Sequence, residues 1–191
     1  HRQQVRAALA IYAGLKGKRF VTGHIAYGPE FEALREQGLH TATVLRDPVR
    51  RWFSAYFYNR YKATAHGRTD LDFDAFLESP EAADLGSTYV RFIGGPRADR
   101  DYTSPAAVEQ AKANLRQLDI VGFLEDLPAL QRDFREQAGL RLRFPHRRRS
   151  PAPPELEQRI KNDPDYRKAV EALCGPDLEL YRFARSHHDT G

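Results

Sequence analysis

Arg46-Asp47-Pro48-Val49-Arg50-Arg51-Trp52-Phe53-Ser54-Ala55-Tyr56-Phe57-Tyr58-Asn59-Arg60 follows directly on Thr41-Ala42-Thr43-Val44-Leu45. The apolar run 41–45, rich in β-branched residues, predicts a short strand. Asp47 then Pro48 predicts a helix start: a capping carboxylate followed by a residue with no amide hydrogen to lose. Strand, arginine and helix N-terminus in that order predict an α/β layer fold. They also predict an anion site, since such proteins hold phosphates where free helix amides and an arginine fork meet beyond a strand's carboxyl end.

In the helix expected over about 48–62, the 3.6-residue period groups Val49, Phe53, Tyr56 and Phe57 into an apolar stripe. Arg51, Ser54 and Tyr58 fall along another line. Ser54 lies about 9 Å along the axis from Pro48, so its hydroxyl, with Arg46 at the base, can grip a second phosphate of an extended ligand. The same residues also read as a capped amphipathic helix with aromatic packing and one surface arginine. Local grammar leaves both readings open.

The frame Arg46-Asp47-Pro48-x-x-Arg51-x-x-Ser54-x-Tyr56-x-Tyr58 resembles the 3′-phosphate-binding motif of sulfotransferases that use 3′-phosphoadenosine 5′-phosphosulfate (PAPS). The likeness is to the carbohydrate branch that includes heparan sulfate 2-O-sulfotransferases. It implies that Arg46 and Ser54 bind the 3′-phosphate of PAPS. Thr22-Gly23-His24-Ile25-Ala26-Tyr27-Gly28 resembles the family's Gly-His-x-x-Tyr segment, which implies His24 as general base. The segment 85–95 resembles a helix that carries an arginine towards the sugar, here Arg91. Asp119–Glu125 resembles a late strand ending in a glutamate, and 176–184 the closing helix. The implied fold is a P-loop-like three-layer domain with a short central parallel sheet flanked by helices. The implied partner is a carbohydrate or glycolipid acceptor, with Tyr27, Arg60 and Arg91 lining its pocket.

One family element has no counterpart. The Pro-Lys-x-Gly-x-Thr-Ser loop that embraces the 5′-phosphosulfate is nearest to Gly14-Leu15-Lys16-Gly17-Lys18, which lacks the hydroxyl residues and precedes its strand. The expectation is one domain over 1–191 that is incomplete at its N-terminus, with the first strand and its loop upstream. A chain that has lost the loop and binds without catalysing is the alternative. The dense run Arg141–Ser150 falls where related enzymes close a basic loop over the cofactor, so Arg148, Arg149 and Ser150 are further cofactor candidates. A solvated basic loop is the plainer reading of that run.

Composition narrows the classes. With 191 residues, 41% of them hydrophobic, the chain can bury a sizeable core. One cysteine, Cys174, rules out an internal disulfide framework and any cysteine-cluster metal site. No histidine has partners at ligand spacing, so no metal is expected. The net charge of +4 suits an anionic partner, but 26 acidic residues are interspersed with the bases, which disfavours nucleic acid. No Gly-x-x-x-x-Gly-Lys loop is present for a nucleotide kinase. No run is long enough to span a bilayer, and the excess of arginine over lysine suggests a bacterial cytoplasmic protein, or a Golgi lumen one if an anchor was removed.

Along the rest of the chain, helices are expected over 2–13, 29–36, 71–77, 81–93, 104–118, 126–138, 155–161, 164–173 and 177–184. Strands are expected over 18–22 and 119–123. Arg51 is expected to pair with Asp47 or a nearby carboxylate, and Glu125 to orient a basic partner. Cys174 is expected to be buried and inert.

Overall fold

The computed structural model describes Lys16, residues 22–144 and residues 150–188. The helix expected over 2–13 and all of the strand expected over 18–22 except Thr22 lie outside them. Strands β1 (Ala42–Leu45) and β2 (Ile120–Phe123) pair in parallel, from Ala42 opposite Ile120 to Leu45 opposite Phe123. Asp119 sets that register. One of its carboxylate oxygens accepts both the Thr41 amide and the Thr41 hydroxyl at 2.7 Å, while the Ile120 amide donates to Thr41 O at 3.0 Å.

A strand turns alternate side chains to opposite faces. Leu45 and Phe123 pack with Val90 and Ile93 of one helix, Val108 and Leu115 of another, and Leu180 of a third. On the opposite face, Ile120 meets Leu130 and Phe134. The order is α1 (Glu30–Glu36), β1, α2 (Pro48–Tyr61), α3 (Phe73–Leu77), α4 (Pro80–Gly86), α5 (Thr88–Gly94), α6 (Pro105–Leu115), β2, α7 (Leu127–Ala138), α8 (Pro154–Asn162), α9 (Pro164–Leu173) and α10 (Gly175–His188). Helices α5, α6 and α10 thus cover one face and α7 the other, as an α/β layer arrangement requires. Two strands, both short, are present among the described residues.

Helix α2 forms for the reasons visible in its sequence. Asp47 accepts the Arg50 amide at 2.8 Å, and Pro48 occupies the first turn. Val49, Phe53, Tyr56 and Phe57 are buried as the stripe predicts, joined by Trp52, whose indole N–H donates to Ala82 O at 2.9 Å. This second core adds Phe73 and Phe76 of α3, Ile160 of α8 and Val170 of α9. Cys174 is buried there too, and burial pushes its thiol up to about 12, which keeps it unreactive.

The single helix expected over 81–93 is two helices, broken at Ser87. The buried carboxylate of Asp177, on α10, accepts the Tyr89 and Val90 amides at 3.0 Å each and so caps a new helix. The Ser87 and Thr88 hydroxyls donate back to Ala83 O and to Asp84 O and Leu85 O, satisfying carbonyls of the helix that ends. Gly86 at the break sits against α9: a Cβ there would lie 2.0 Å from the Leu173 carbonyl oxygen. Alanine for glycine within a helix is ordinarily stabilising. Gly86→Ala should instead destabilise by about 1–3 kcal/mol through overpacking against backbone that cannot step aside. Denaturant unfolding checks this, and a more stable variant would mean that the helices are not locked here.

Candidate functional site

Arg46 leaves the carboxyl end of β1 and enters α2. The phenol of Tyr89, on α5, accepts its amide and donates to its carbonyl, both at 3.0 Å. Burial pushes that phenol up to about 12, so it remains a donor throughout the physiological range. With its backbone clamped, Arg46 extends along α2 and its Nη1 donates to Ser54 Oγ at 3.1 Å. The two residues separated by eight positions in the sequence are thus one polar pair.

Of the amides at this corner, those of Arg46, Asp47 and Arg50 have partners. The Arg46 amide is held by Tyr89. The Asp47 amide donates to Glu125 Oε1 at 2.9 Å, and the Arg50 amide is taken by Asp47. Glu125 therefore holds an amide and, through its other oxygen, the Tyr181 hydroxyl at 3.2 Å, rather than a basic partner. Arg51 pairs with a carboxylate, and of the two expected alternatives it takes not Asp47 but another, Asp177 at 3.3 Å, while also donating to Leu85 O. Its guanidinium lies 4.9 Å from the Tyr89 ring centroid, so it supports the clamp.

Helix α8 carries an ion pair with no obvious signal in the sequence. Glu157 of α8 accepts hydrogen bonds from Lys161, one turn on, and from the Ser150 hydroxyl. Burial alone would raise the Glu157 carboxyl. The bonds from Lys161 and Ser150, and the charges of Lys161 and Arg46, outweigh it and hold the group below its ordinary value. Ser150, a further cofactor candidate, also accepts the Ala152 amide at 3.3 Å. Arg148 and Arg149 lie outside the described residues. Glu157 and Lys161 read in the sequence as an ordinary surface pair four residues apart, and only the fold buries most of the Glu157 side chain and sets Lys161 Nζ 5.6 Å from the Phe57 ring centroid.

The second group gathers at Phe92. The exposed His24 ring lies 6.0 Å from the Phe92 ring, tilted by 45°. The Tyr27 amide donates to Phe92 O at 2.7 Å, and its ring stacks on Phe31 at 4.9 Å. Gly95, at φ +81°, allows the approach, since a Cβ there would lie 2.6 Å from Tyr27 O. Arg91 reaches over Phe92 from the same helix, 5.5 Å from the ring centroid, with Asp84 at 4.0 Å. His24, Tyr27 and Arg91 are thus brought together. Phe92 follows Tyr89 by three residues, about 4.5 Å along α5, so one short helix supports both the Arg46 clamp and the His24 cluster.

Arg60 does not join them. It sits near Asp70 at 3.8 Å and lines a cleft of about 410 Å³ with Tyr56, Phe57, Phe73, Ile160 and Tyr166. Among the described residues no three His, Cys, Asp or Glu side chains form a metal-binding group, and no helix is long and apolar enough to cross a membrane. No family model, curated protein or solved structure matches the chain.

Proposed function

We propose that this chain is a PAPS-dependent sulfotransferase with a P-loop-like three-layer fold, acting on a hydroxyl of a carbohydrate or glycolipid. The observation that carries the reading is the 3.1 Å pairing of Arg46 with Ser54 at the start of a helix that follows a parallel strand. These are the two residues that the resemblance assigns to the 3′-phosphate. A guanidinium and a hydroxyl side by side suit a phosphomonoester, the first as a planar, permanently charged fork and the second as a short neutral donor.

In this reading the acceptor oxygen attacks sulfur in line with the bond to the 5′-phosphate. That bond breaks, adenosine 3′,5′-bisphosphate leaves, and the acceptor proton passes to His24. Tyr27 and Arg91 flank His24 and orient the acceptor. Arg60, in its own cleft, is assigned to a distal part of a long acceptor.

Calorimetric titration of adenosine 3′,5′-bisphosphate against AMP tests the proposal. Selective binding of the bisphosphate is expected, because AMP lacks the group that Arg46 and Ser54 would hold. Equal affinity for both would sink it, and so would preference for polynucleotides with a steep salt slope. Arg46→Ala should weaken the bisphosphate by about 10²-fold, the worth of a charge-assisted contact. Arg46→Lys should recover little of it, since an ammonium cannot reproduce the fork.

A further inference from the structure

Arg46 and Asp47 fall between elements, since β1 ends at Leu45 and α2 begins at Pro48. Each brings one backbone donor and one acceptor that need partners. The Asp47 carbonyl enters the helix ladder, accepting the Arg51 amide at 2.9 Å. Side chains from far along the chain hold the others. The Tyr89 hydroxyl takes both backbone groups of Arg46 at 3.0 Å, and Glu125 takes the Asp47 amide at 2.9 Å. A hydroxyl can serve both groups at once because it donates through its hydrogen and accepts through its lone pairs.

Both arms of this clamp are braced from α10. Asp177 caps α5 through the Tyr89 and Val90 amides. The Tyr181 hydroxyl donates to the second Glu125 oxygen at 3.2 Å, and its ring meets Phe123 edge-on at 5.5 Å. Four residues apart, Asp177 and Tyr181 lie on one face of that helix, one turn from each other. We propose that Tyr89 and Glu125 are positioning residues for the phosphate site, fixing the Arg46–Asp47 backbone so that the guanidinium stays beside Ser54. The role rests on reading Arg46 and Ser54 as phosphate ligands. The ligand class is a phosphomonoester, here the 3′-phosphate of a nucleoside bisphosphate.

Pre-ordering is what such a clamp contributes. A long side chain rooted in a loose junction must lose its freedom when the ligand arrives, and affinity falls by that cost. Here the root is fixed by three hydrogen bonds and the head by Ser54 at 3.1 Å, before any ligand enters. The effect is confined to whatever Arg46 touches. Removing an arm should weaken a ligand that carries the 3′-phosphate and spare one that lacks it. Damage to the fold as a whole would weaken both. Tyr89→Phe deletes only the hydroxyl and keeps the ring that lies 4.9 Å from the Arg51 guanidinium. Glu125→Gln keeps an oxygen for the Asp47 amide, whereas Glu125→Ala removes it.

The test titrates adenosine 3′,5′-bisphosphate and AMP into the full chain and into Y89F, E125A and E125Q, each alone and combined with R46A. Thermal melting of each variant reports its folding. The expected result is that Y89F and E125A bind the bisphosphate about 10-fold more weakly, the worth of a lost hydrogen bond, with AMP unchanged and E125Q close to wild type. In the R46A background neither substitution should add a further loss, because residues that act through Arg46 have nothing left to position. If R46A weakens the bisphosphate while Y89F and E125A leave it unchanged, or weaken it equally without Arg46, the inference is overturned and the reading of Arg46 stands. Equal losses in E125A and E125Q would remove Glu125 from the clamp. If R46A itself leaves the bisphosphate unchanged, the reading of Arg46 fails and the inference falls with it.

Discussion

Asp177→Ala is expected to lower the unfolding free energy by about 3–5 kcal/mol, the cost of removing one partner from a buried ion pair. Asp177 has no exposed surface, and its two oxygens accept the Tyr89 amide, the Val90 amide and Arg51 Nη2. Alanine would orphan two helix amides and leave the largely buried guanidinium without its carboxylate. Adding Arg51→Met should recover part of the loss, because the uncompensated charge goes with it. The proposed binding of adenosine 3′,5′-bisphosphate should weaken as well, since Tyr89 lies at the start of the helix that Asp177 caps and its phenol clamps Arg46.

The same residue makes stability depend on pH. Burial outweighs the pull of Arg51 and the two amides and raises the Asp177 carboxyl from 3.8 to about 6. A raised folded value means that the native state holds this proton more tightly than the unfolded chain does. The stability it contributes is therefore complete below about 3.8 and lost as pH rises through about 6. The span corresponds to about 3 kcal/mol at 1.36 kcal/mol per unit. Asp177→Asn should remove this slope, so the stability difference between wild type and variant should shrink from pH 4 to pH 7. A difference that stays flat over that range would contradict the assignment.

His24→Ala carries the second large effect. Loss of the general base proposed above should reduce turnover by roughly 10²- to 10⁴-fold, with affinity for adenosine 3′,5′-bisphosphate nearly unchanged. The separation of binding from rate follows from the geometry. His24 is exposed and touches α5 through the Phe92 ring, whereas Arg46 is held at the other end of that helix by Tyr89. The Tyr27 amide bond to Phe92 O ties the local backbone and should hold it through the substitution. Turnover close to that of wild type would remove His24 from the chemistry. A parallel fall in nucleotide affinity would place it in binding instead.

Both halves of the candidate site were legible in part, for different physical reasons. The Arg46–Ser54 pair follows from helical geometry. Once Asp47 caps the helix and Pro48 opens it, a residue at position 54 lies on a predictable line above the strand end. His24 and Tyr27 carried only a resemblance, and nothing in their spacing placed them against Phe92. Glu157 and Lys161 had no signal beyond helix pairing. Arg148 and Arg149, in the basic run, fall outside the described residues.

The same division runs through the fold. Strand β1, the start of α2, its buried stripe and the end of α7 at Gly139 were determined by the sequence alone, because caps, side-chain period and a left-handed glycine act within a few residues. Tertiary structure alone decided the break at Ser87, the partner of Arg51 and the partner of the Asp47 amide ahead of α2. Each depends on a carboxylate far away in the chain, Asp177 or Glu125. A charge chooses its partner by distance and burial, and those exist only once the helices have packed.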